Sequence, residues 1–139
     1  MGLCLSFPSR GTSQARRSGV STCQPPSAFG EGVLAGRFRV WIGASGARLM
    51  FSVFPAEPER LSDFSDAVLL AVARTDRGLR IVAAMETSHT PSPAMLRVFT
   101  ARAAAGAAVE WHVHFLAASP RERRSILEDL TDQPLRARA

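Results

Sequence analysis

The chain has 139 residues and a formal charge of +5 at neutral pH. That length bounds it to one domain, with enough residues for a single hydrophobic core. No apolar run approaches the ~20 residues that a membrane-spanning helix needs, which excludes a helical span.

Every basic residue is arginine; the sequence contains no lysine, no asparagine and no tyrosine. Those three residues have AT-rich codons, so their joint absence points to a GC-rich genome. Arginine content under such a bias is weak support for a nucleic-acid partner. A basic balance favours anionic partners only where it clusters on one face. Cys4 and Cys23 both fall in the first 36 residues. The rest of the chain holds no disulfide framework and no cysteine-based zinc site, which suits a reducing cytoplasm.

Residues 1–36 are rich in Ser, Gly, Pro and Arg, with Glu31 as their single acid. No hydrophobic period persists, which predicts a disordered leader. Met1 to Ser6 matches an N-terminal acylation pattern, and the acid-poor composition resembles an organelle address. Patterns this short also arise by chance, and a start codon assigned upstream of a true one near Val33 would produce the same segment.

From Arg37 to Ala44, Phe38, Val40 and Ile42 alternate with Arg37, Arg39 and Trp41. Ser45-Gly46 supplies turn chemistry and Leu49 to Phe54 returns, so a hairpin is predicted. Pro55 and Pro58 end it, and Glu57 to Ser65 form a polar loop or short helical turn. Asp66 to Arg74 is apolar on both faces, as a central strand is. Thr75 to Gly78 turns the chain into a further strand, Leu79 to Met85, and the two make a second hairpin.

Thr87 to Pro91 is a loop. Ser92-Pro93 then combines an N-cap with a proline at the first helical position. Met95, Leu96, Phe99 and Ala103 form the apolar face of the helix, and Gly106 is its expected C-cap. Glu110 to Phe115 alternates again, placing Trp111, Val113 and Phe115 towards the core and Glu110, His112 and His114 on the other face. Ser119, Pro120 and Glu122 make a capping box at the start of a last helix, whose stripe is Ile126, Leu127 and Leu130 and whose end is marked by Pro134. The order ββββαβα predicts an α+β domain over residues 37–135, a small mixed sheet of about five strands with helices packed on it, followed by a tail at 136–139.

Several groups could carry chemistry. Glu110, His112 and His114 share a strand face, and a His-x-His pair sets two imidazoles about 7 Å apart, within reach of one metal ion. The alternative is a solvated face of alternating polar residues. Arg121, Arg123 and Arg124 open the last helix, where cations oppose the helix dipole; they are candidate phosphate contacts or a solvated face paired with Glu122, Glu128 and Asp129. Arg97 and Arg102 lie on the preceding helix. His89 sits in a loop with no acid–base partner in sequence reach, which excludes a recognisable hydrolase triad. Gly43-x-x-Gly46 belongs to a hairpin, precedes no helix and is no phosphate loop.

From Arg37 to Leu135 the chain resembles small bacterial proteins of the GIY-YIG nuclease-like superfamily. Ala67-Val68-Leu69 stands at the first motif and Ala83-Ala84-Met85-Glu86-Thr87 at the second. Arg97 stands for the helix arginine, Gly106-Ala107 for the turn, His112-Val113-His114 for the late strand and Arg123 to Leu130 for the final helix. The resemblance implies a nuclease-like fold, a nucleic-acid partner contacted by Arg97, Arg102, Arg121 and Arg124, and a divalent metal. The family's tyrosine is absent, however. Its metal-binding glutamate falls on Leu127, and Glu128 is one helical step away, about 100° of rotation.

Three functions follow. The first is a non-catalytic domain that binds nucleic acid or a protein and needs no cofactor. The second is an active magnesium-dependent phosphodiesterase, with Glu128 or Glu86 on the metal, Arg97 on the phosphate and a histidine in place of the tyrosine. The third is a protein-interaction module with no nucleic-acid role.

Overall fold

Six strands and two α-helices follow one another in the computed structural model, which describes residues 22–24 and 36–131. They are β1 (Thr22–Gln24), β2 (Phe38–Ile42), β3 (Arg48–Pro55), β4 (Val68–Thr75), β5 (Gly78–Glu86), α1 (Pro93–Ala105), β6 (Glu110–His114) and α2 (Pro120–Thr131), with a 3-10 helix at Pro58–Asp63 between β3 and β4. The fold is α+β in the predicted ββββαβα order, with β1 added in front.

The sheet order is β1-β2-β3-β6-β4-β5. Every pairing is antiparallel, which corrects the expectation of a mixed sheet. β3 and β4 run in the same sense and leave a gap. β6 fills it in the opposite sense, with Val113 opposite both Ser52 and Leu69. No parallel pair is then required.

β1 corrects a second expectation. Thr22–Gln24 lies within the predicted disordered leader, yet it pairs with β2, Cys23 opposite Trp41. Without β1 the outer side of β2 would leave backbone groups unpaired, and an edge of that kind accepts another strand. The rest of the leader, Pro134 and the tail at 136–139 lie outside the described residues.

A helix covers each face of the sheet. Leu69 and Ala71 of β4, with Trp111 and Val113 of β6, pack against Phe99 and Ala103 of α1. Val68, Leu70 and Val72, with Trp41 and Phe51, pack against Ile126 and Leu130 of α2. Burial on both sides is why β4 reads as a continuous apolar run. Trp41 was expected on the polar side of β2 but is buried; with helices on both faces, the inner strands have no fully polar side.

Both helix starts follow the sequence. Ser92 Oγ accepts from the Met95 N–H at 3.3 Å. Ser119 Oγ accepts from the Glu122 N–H at 3.1 Å, while the Glu122 carboxylate accepts from the Ala118 N–H at 3.0 Å. Gly106 is the C-cap of α1, as expected. Gly106 has φ −92°, and Ala107 takes the left-handed conformation at φ +59°. Gly106 is also needed for space, because a Cβ there would overlap the Val82 side chain of β5.

Candidate functional site

β6 carries the densest group of titratable residues. Glu110, His112 and His114 do share a face, but it is not solvated: His112 is fully buried and His114 nearly so. Trp111 and Val113 are buried on the opposite face, whereas Phe115, expected beside them, is exposed. A strand placed between β3 and β4, beneath a layer on each side, buries both of its faces.

The Trp41 Nε1–H donates to His112 Nδ1 at 2.9 Å. An indole nitrogen only donates, so Nδ1 accepts and the proton of the neutral ring sits on Nε2. That Nε2–H donates to Glu110 Oε1 at 2.9 Å. The other carboxylate oxygen accepts from Arg74 at 3.3 Å. Burial holds the His112 pKa below the usual histidine value, against the pull of the Glu110 hydrogen bond and charge. The His112 hydrogen bond holds Glu110 below the usual carboxylate value, against the effect of its own partial burial. The pair is therefore a carboxylate and a neutral imidazole, not an ion pair.

This chain of bonds occupies both ring nitrogens of His112. His114 Nδ1 donates to the Met50 carbonyl at 2.9 Å. The predicted chelate of Glu110, His112 and His114 is therefore not assembled, and no group of three or more potential metal-ligating side chains is found among the described residues.

A second charged cluster lies where β5 meets α2. Glu86 accepts from Arg123 Nε at 3.4 Å and from Arg124 at 3.3 Å. Arg123 also lies 3.7 Å from Asp66, and Asp66 lies 3.4 Å from His89. The Arg123 side chain is only 5% exposed, so it is no part of a solvated face. Asp66 adopts φ +51°, and the neighbouring Ala67 N–H donates to the buried Thr87 Oγ1 at 3.0 Å. Glu86, the alternative metal ligand, is thus committed to two guanidinium groups. Arg124, a candidate phosphate contact, has a carboxylate partner.

The nuclease constellation is also divided. Arg97 and Arg102 are exposed on α1, on one side of the sheet. Arg121, Arg124 and Glu128 are exposed on α2, on the other. The sheet stands between the helix that carries Arg97 and the helix that carries Glu128. The four candidate nucleic-acid arginines are split in the same way, two on each helix.

An open concavity among the described residues lies elsewhere. Ala83, Ala84 and Met85 of β5 and Met95, Val98 and Arg102 of α1 line a groove of about 270 Å³. Met95 and Val98 are each 53% exposed. Met95 was expected on the packed face of α1, but Phe99 and Ala103 make that contact and Met95 lies at its margin. This groove was not legible in the sequence, nor were Arg74 and Asp66 as partners of Glu110 and Arg123. Each depends on which strands become neighbours, and no local spacing marks it.

No family model, curated protein or solved structure matches the chain. The resemblance to GIY-YIG nucleases rests on the motif positions alone.

Proposed function

We propose that the chain is a non-catalytic protein-interaction domain that binds through the groove between α1 and β5. The observation that carries this reading is an apolar groove that opens beside the outermost strand of the sheet and is rimmed by exposed Met95 and Val98. Its 270 Å³ falls just short of the about 300–1,000 Å³ usual for small-molecule sites, a size suited to a few side chains of a peptide. The groups with chemical potential support the same reading. His112, Glu86, Arg123 and Arg124 are engaged within the fold, and Arg97 and Glu128 are on helices that the sheet separates. On this reading the nuclease resemblance concerns the scaffold and not a reaction, and the domain works in the cytoplasm, in keeping with a sequence free of cysteine after Cys23.

The test is selection of random heptapeptides displayed on phage against the full chain and against Val98→Glu. Enrichment on the first and not the second is expected. Equal recovery from both would refute the groove as the binding surface. A second reading, single-stranded nucleic acid along α1, is favoured by Arg97 and Arg102 on a helix that has no acidic residue in its sequence. It requires affinity for an oligonucleotide that falls steeply with salt.

A further inference from the structure

We infer that the groove takes an acidic, apolar peptide of another protein, laid extended along β5 as an additional strand. The inference rests on the interaction-domain reading and specifies its partner.

The docking mode comes from the lining. Ala83, Ala84 and Met85 are consecutive residues of β5, and all three border the groove. Successive strand side chains point to opposite faces. A groove that meets three in a row borders the strand's backbone as well as the side chains of one face. β5 is the last strand of the sheet among the described residues, so its outer backbone groups face no other strand. An extended peptide can bond to that main chain while its alternate side chains enter the groove.

A bulge narrows the place. The β4–β5 register is continuous from Val68↔Glu86 to Ala71↔Ala83 and resumes at Val72↔Ile81, leaving Val82 unpaired. A bulge interrupts a ladder and increases local twist. Regular edge for a new strand is thus offered at Ala83 to Glu86, beside the groove.

Charge selects the partner. Arg102 lines the groove, and no carboxylate lies within ion-pair distance of it among the described residues. Arg97 is on the same helix, which has no acid to offset either of them. The chain's own ends are poor occupants: Arg10, Arg16 and Arg17 lie near one, Arg136 and Arg138 near the other. Glu31 lies in sequence between β1 and β2, the two strands at the opposite edge of the sheet. A second copy would present β5 with the same bulge and with Arg80. Another protein's segment, with Asp or Glu placed to meet Arg102 between apolar residues, matches both the charge and the lining.

The experiment extends the phage selection with the full chain. Expected winners alternate apolar residues with Asp or Glu. Fluorescence anisotropy of one labelled winner should show affinity reduced about tenfold or more by Arg102→Glu, because like charges across a contact are strongly unfavourable. Replacing the winner's acid with lysine should restore binding to that variant. Hydrogen exchange should slow at Ala83 to Met85 on binding. Arg97, Val98 and Arg102 are exposed, and circular dichroism of each variant checks its fold; Arg102→Gln serves if Arg102→Glu does not fold.

Winners that are neutral or basic would overturn the acidic partner while leaving the groove reading intact. Protection confined to α1 would overturn strand addition. Light scattering that shows a dimer, dissolved by Val98→Glu, would make a second copy the occupant and overturn the inference. No enrichment over Val98→Glu would overturn both the inference and the reading beneath it.

Discussion

Trp41 and His112 are 71 residues apart in sequence, and a hydrogen bond of 2.9 Å between their rings fixes which nitrogen of His112 carries its proton. The indole can only give a proton to the bond, so the imidazole is oriented to pass its own towards Glu110. The histidine that sequence spacing nominates as a metal ligand is a buried linker between two strands.

Removing that linker should destabilise the fold. His112→Leu preserves bulk but leaves the Trp41 N–H buried without a partner, a loss of about 1–3 kcal/mol. Adding Trp41→Phe should cost less in the His112→Leu background than in the parent chain, since the donor is then already orphaned. Urea denaturation of the four proteins measures the coupling.

Stability should also depend on pH through this pair. His112 has a folded pKa below its usual 6.5, so between the two values the unfolded chain binds more protons than the folded one. The contribution is full above about 6.5 and is lost as pH falls through the folded value. Glu110 has its folded pKa below 4.5 and adds a second loss, at lower pH and of the same sign. Denaturation midpoints should be flat above neutrality and decline on acidification. His112→Gln should flatten the upper part of the decline and shrink the lower, because the His112 bond is the main reason Glu110 is depressed.

Neighbouring arginines on α2 should behave differently. Arg123→Ala removes a buried guanidinium shared by Glu86 and Asp66 and should cost about 1–3 kcal/mol. The Arg124 side chain is 62% exposed, so Arg124→Ala should cost about 0–1 kcal/mol, further reduced by salt. Thermal melts at low and high ionic strength distinguish them.

The hairpin turn between β2 and β3 is tied to α2 at one residue. The Asp129 carboxylate accepts from the Ser45 N–H at 2.8 Å and from its hydroxyl at 2.7 Å. Asp129→Ala should lower stability by about 1 kcal/mol and speed amide exchange at Ser45. Gly43→Ala should act at the same place, since a Cβ there overlaps the Asp129 side chain.

Magnesium-dependent cleavage of single- or double-stranded DNA should be absent, and Arg97→Ala and Glu128→Ala should bind divalent ions no differently from the parent. Calorimetric titration with magnesium is the measurement. A heat of binding lost in Glu128→Ala would revive the substituted nuclease site.

Local chemistry was legible in the sequence. Ser92 and Ser119 read as caps because a hydroxyl, a proline and the first N–H groups of a helix lie within one turn of each other. The hairpins read correctly because turn and strand are contiguous. Trp41 and His112 did not, because alternation marks two faces of a strand without saying whether one or both are covered. Gly106 caps α1 as its position in the sequence indicates, but the space it leaves for Val82 is not marked there, because Val82 is a neighbour through space. The groove is the extreme case, since Met95 has the same spacing whether it packs inward or borders an opening.

The position of β6 has a consequence for how this protein is made. β3 and β4 touch no common ladder except through Glu110–His114, so during synthesis the two hairpins emerge as separate ribbons with unfinished inner edges. Only when β6 has left the ribosome can the central seam close. Until then both ribbons expose strand edges that a chaperone, or another nascent chain, can capture.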